Sequence, residues 1–216
     1  MNPIPTEVTT GATDLILGLL AIACIVRLAG LGQRETFRSR LWIAIFALLT
    51  VASMLGAVTH GLDLADGLRN LLWQPLYLSL GLMLGLIAVA AAVDSQGPER
   101  GRRWLWPAVG LGLAFYAVTV IANGAFLVFV LYEAVALIYA LVVYIRLARR
   151  SEAGALQLAA GIAVTLIAAV IQQSDLSFTL IWPFDHNGIF HLVQIPGIVL
   201  MADGVQRRLR ARASAS

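Results

Sequence analysis

His60, His186 and His191 are the three histidines of this chain, and imidazole is the side chain that both ligates metals and moves protons near neutral pH. Glu133 stands alone in the apolar run FLVFVLYEAVALIYALVV. A carboxylate inside such a run costs ~2.5 kcal/mol or more unless it is paired, protonated or wet, which marks it as a functional candidate. Gln74, Tyr77, Gln172, Asp175, Asn187 and Gln194 are the polar residues expected to line a cavity with them. Asn187, His191 and Gln194 follow i, i+4, i+7 and share one helical face. His186 falls about 140° around the helix from His191, so the two are not predicted to point inward together. Asp185 suits the N-cap of that helix. If these imidazoles held a metal, Glu133 would be the nearest candidate general base. The pair His60 and His191 alone would also serve as axial ligands of a haem b.

The elements that must position these residues are membrane helices. The chain is 60% hydrophobic and 12% charged, with a mean hydropathy of +0.85. Its apolar runs reach the roughly 18 residues needed to cross a hydrocarbon core of about 30 Å. The reading is an all-α polytopic protein, one domain over 1–216, with spans near 13–32, 41–61, 68–93, 104–122, 125–147, 154–175 and 187–206. Asn123-Gly124 is expected to turn spans four and five into a hairpin. The segment 176–184, with Phe178, Trp182 and Phe184, is too short to span and suits the headgroup level.

Every basic side chain is Arg, and the chain has no Lys. Retinal Schiff-base chemistry needs a lysine amine, so a rhodopsin is excluded. The pI near 9.5 does not signal nucleic acid, because the arginines cluster after spans one, three, five and seven. Only Arg69 lies on the other side. That bias places the N-terminus outside and the C-terminus in the cytoplasm of an inner or plasma membrane. The start MNPIPTEVTT lacks the basic n-region and small-residue cleavage site of a removable signal peptide. The single cysteine, Cys24, excludes an intrachain disulfide and a thiolate metal cage.

With this topology His60, Gln74, Glu133, Asn187 and His191 all fall in the outer half of the bundle. Glu133 lies ~12 Å below the start of its span at 1.5 Å per residue. The inner half is expected to hold almost no polar residue beyond Ser53 and Asp203. A cavity open on one side follows.

Seven spans with a histidine ending the second and another in the first turns of the seventh resemble the alkaline ceramidase and PAQR-receptor (CREST-type) superfamily. The resemblance implies a seven-helix membrane hydrolase, or a hydrolase-like receptor. Its zinc would be held by one His on the second span and an HxxxH pair on the seventh, with a Ser one turn before the first His and an Asp on the third span. His60 matches the first ligand and His191 the second His of the pair. Asn187 takes the first place of the pair, with His186 shifted by one, and Gly56 takes the Ser position. The third span carries no Asp, and Gln74 is its nearest polar residue. A third Zn2+ ligand would come from His186, Glu133 or Asp175. The expected activity is metal-dependent hydrolysis of a lipid amide or ester. A non-catalytic protein of the same fold, holding a membrane lipid or another small molecule, is the alternative, and the haem protein a second.

Overall fold

The computed structural model describes residues 1–31, 36–122 and 126–214. Among these it has α1 (Pro5–Ala29), α2 (Phe37–Gly61), α3 (Asp66–Gln96), the short α4 (Pro98–Arg102), α5 (Leu105–Ile121), α6 (Phe126–Arg149), α7 (Ala155–Gln172) and α8 (His186–Ala213). Seven segments are long and apolar enough to cross a membrane, α4 and α5 together forming the fourth. The fold is therefore all-α and polytopic. Arg34 and the turn at Asn123-Gly124 lie outside the described residues.

The helices form a ring. α1 packs on α2, α2 on α3, α3 on α6, α6 on α7, α7 on α8, and α8 returns to α1, while α5 packs chiefly on α3. Leu111, Leu131, Val135, Leu156 and Val170 point outward and are exposed, as a hydrocarbon-facing surface requires. α7 and α8 cross in close contact. A Cβ on Gly161 would meet the Gly197 carbonyl oxygen at 2.6 Å, so only glycine lets these backbones touch.

Several helices outrun the spans expected from the sequence. α1 begins at Pro5 rather than near residue 13, because proline is tolerated in the first turn, where its missing N–H costs no bond. Ahead of it, Asn2 caps the end of α2: its amide N–H donates to the Gly61 carbonyl and its Nδ2 to the His60 carbonyl, both at 3.0 Å. These bonds satisfy carbonyls that a helix end leaves open. α8 runs on to Ala213, beyond the expected 206. Residues 176–184 form a hairpin, with β1 (Phe178–Thr179) antiparallel to β2 (Pro183–Phe184) and Leu180, Ile181 and Trp182 exposed at its tip.

The end of the bundle opposite the N-terminus corrects a second expectation. It is not bare of buried polar groups. Asp94, near the end of α3, is buried, and its Oδ1 accepts from Arg38 Nε at 2.9 Å. Its Oδ2 accepts from the Tyr144 hydroxyl at 3.2 Å and lies 3.0 Å from Arg208 Nε. Arg208 is itself buried and donates from Nη1 to the Ala153 carbonyl at 3.3 Å. One carboxylate thus ties α2, α3, α6 and α8 together. Arg38 and Arg208, read from sequence as topology signals, are structural ion-pair partners. The reason is their position: at a span's end the guanidinium reaches the neighbouring helix end as easily as water.

A polar cavity at the N-terminal end of the bundle

α2 delivers His60 to the N-terminal end of the ring, one turn past Gly56. His60 Nδ1 donates to the Glu7 carboxylate on α1 at 2.7 Å, and its ring stands edge-on to Trp73 of α3, centroids 5.4 Å apart. Trp73 in turn stacks on Tyr77 at 5.5 Å. α8 is started by Asp185, whose side chain accepts from the Gly188 amide at 3.0 Å, the N-cap expected from the sequence. Thr10 of α1 donates to the same carboxylate oxygen at 3.1 Å, which fixes α8 against α1.

That docking brings His191 onto α1. Thr13 Oγ1 donates to the Thr10 carbonyl at 2.8 Å and lies 3.0 Å from His191 Nδ1. A hydroxyl has one proton, so toward the ring Thr13 is the acceptor and His191 carries its proton on Nδ1. His191 Nε2 then faces Asp14 Oδ1 at 3.3 Å. A bare ring nitrogen and a carboxylate oxygen repel at that distance, so a proton or another cation belongs between them. Asp14 fits here because residue 56 is glycine: a Cβ at that position would meet Asp14 Oδ2 at 2.5 Å.

Around these residues lies a cavity of about 410 Å³. Its wall includes His60, His186, His191, Glu133, Tyr77, Gln172, Asn187 and Gln194, with Asp14, Trp73, Ser53 and Thr119. Leu17, Leu49, Leu76, Leu80, Met83 and Phe129 supply its apolar surface. His186 lines it together with His191, against the helical-phase argument. It is the first residue of α8, where the side chain is not yet confined between neighbouring turns. Gln172 Nε2 donates to Asn187 Oδ1 at 3.2 Å. Glu133 is 4% exposed, and its Oε2 has no hydrogen-bond partner among the described residues. It also borders a second cavity of about 30 Å³ beneath, room for about one water.

Two expected lining residues lie elsewhere. Gln74 donates to the Asn70 carbonyl of its own helix at 3.3 Å and accepts from the Tyr116 hydroxyl at 3.2 Å, on the α5 side of α3. Asp175 is exposed beyond the end of α7. Asp14, Glu7 and Thr13, all on α1, join the site although no sequence expectation names them. The signal for Asp14 was available: a single carboxylate inside the apolar run TTGATDLILGLL.

The donor set can be tested against the metal. Catalytic zinc takes three protein ligands and an open position. Asp14 Oδ1 and His191 Nε2 stand as two ligands of one ion would, about 3.3 Å apart for bonds of ~2.0 Å in a tetrahedron. Among the described residues no three His, Cys, Asp or Glu side chains form a group that could hold an ion. Asn187, at the first place of the expected pair, is hydrogen-bonded to Gln172. As placed, the side chains do not complete a catalytic zinc site. A haem bridging His60 and His191 fits no better, since His191 Nε2 faces Asp14.

Fold and site together define a seven-helix membrane protein with a polar cavity at one end. The chain belongs to the family described as "Family of unknown function (DUF6962)", whose model matches residues 9–210. No curated protein and no solved structure matches it.

Proposed function

We propose that this is an integral protein of an inner or plasma membrane that binds a small organic molecule in its N-terminal cavity. The arginine bias puts the N-terminus, and with it the cavity, on the outer side and the C-terminus in the cytoplasm. The observation that carries the reading is the cavity itself. Its volume of about 410 Å³ lies within the roughly 300–1,000 Å³ of ligand sites, and it joins apolar walls to a few convergent polar groups. His60 and His191 are each tethered through Nδ1, to Glu7 and Thr13, so the polar groups are preorganised.

Native mass spectrometry of protein released from mild detergent tests this. Wild-type protein is expected to carry a small-molecule adduct that Leu80→Trp, which fills the cavity, lacks. A cavity-filled variant that keeps the same adduct would refute the reading.

A second reading, a metal-dependent hydrolase acting on lipid amide or ester bonds, is favoured by one observation: the facing His191 Nε2 and Asp14 Oδ1. Metal analysis of protein supplied with zinc tests it. Stoichiometric zinc lost in both His191→Ala and Asp14→Ala would support it, and none in the wild type would end it.

A further inference from the structure

We infer that the ligand of this cavity carries a protonated amine, an assignment that rests on the binding reading above. Four observations converge on it. Glu133 Oε2 is buried against the cavity with no donor among the described residues, so a water or a donor on the bound molecule has to satisfy it. Asp14 gives the wall a second carboxylate, and among the described residues no Arg lines it to neutralise either. An anionic ligand would therefore meet like charge with no guanidinium to offset it. Between His191 Nε2 and Asp14 Oδ1, at 3.3 Å, a proton or another cation has to sit, and a donating ammonium supplies one. The wall also carries aromatic rings: Trp73 stacked on Tyr77 offers the electron-rich faces that attract an alkylammonium.

An ammonium meets all four at once. It has up to three donors, a full charge and a preference for aromatic surroundings, while its carbon skeleton lies against Leu49, Leu76, Leu80 and Met83. A neutral alcohol can satisfy Glu133 but gains nothing from the second carboxylate or the ring faces. A metal ion would leave the apolar wall without a partner.

The test compares three probes of one chain length, octylamine, octanol and octanoate. Each is titrated calorimetrically into full-length protein in zwitterionic nanodiscs, with empty discs subtracted. Octylamine is expected to bind about tenfold tighter than octanol, and octanoate not measurably. Glu133→Gln and Asp14→Asn should each weaken octylamine several-fold more than octanol, which separates loss of charge from loss of fold. Octanol or octanoate binding as tightly as octylamine overturns the amine while leaving the cavity a binding site. Three probes that all fail to bind, or that bind Leu80→Trp equally well, overturn both.

Discussion

At the scale of the residue, the site turns on Asp14 and on the glycine that makes room for it. A methyl group at residue 56 would press on the Asp14 carboxylate at 2.5 Å, and the carboxylate cannot retreat without leaving His191. Gly56→Ala is therefore expected to lower stability by about 1–3 kcal/mol, read as a drop in melting temperature in detergent. An unchanged melting temperature would mean that Asp14 moves freely. Thr13→Val, which removes the hydroxyl acceptor at His191 Nδ1 and leaves the Thr10 backbone, should cost about 0.5–1.5 kcal/mol by the same measurement. These contacts were only half legible in the sequence. Histidines and Glu133 stand out as rare residues in apolar runs, and Asp14 stands out equally. Its partnership with His191 spans almost the whole chain, however, and no local spacing encodes it. Gly56 reads as an ordinary small residue of a membrane helix until the helix opposite is known.

The element scale is governed by how helix ends are tied. Asp94 carries the end opposite the cavity, with both carboxylate oxygens engaged by groups from other helices. Removing it leaves the buried Arg208 beside Arg38 with only the half-exposed Glu152, 3.7 Å away, to offset it, and breaking such a buried pair costs about 3–5 kcal/mol. Asp94→Ala should thus lower the unfolding midpoint sharply. Asp203→Ala, which breaks the half-exposed pair with Arg207, should cost less than about 1 kcal/mol. Equal losses in the two variants would contradict the clamp. Hydropathy located all seven spans because it reads length and composition, the two properties hydrocarbon selects. It placed the start of α1 and the end of α8 seven residues or more short, since hydropathy does not read the capping that starts a helix or the charged turns that continue one into water. Positive charge at a span's end was likewise read only for its side of the membrane, although the same charge can be buried in an ion pair.

The whole molecule is a closed ring of helices with a cavity at one end. Its orientation is checked with single cysteines at Pro3 and Ser214 in a Cys24→Ser background. An impermeant thiol reagent added to intact cells is expected to label residue 3 alone, whereas labelling of residue 214 alone would place the cavity on the cytoplasmic side. The ring was inferable from seven spans with short links. The cavity was inferable only as a tendency of polar residues to share a depth, because depth does not say which side of a helix faces in, as Gln74 illustrates. The most direct test of the central claim, that this cavity is a ligand site, is the anomalous diffraction signal of a bromine-labelled short-chain amine bound to crystals of the protein. A bromine peak is expected inside the cavity, with the amine among Asp14, Trp73 and Glu133. Bromine found only on the lipid-facing surface at saturating amine would contradict it.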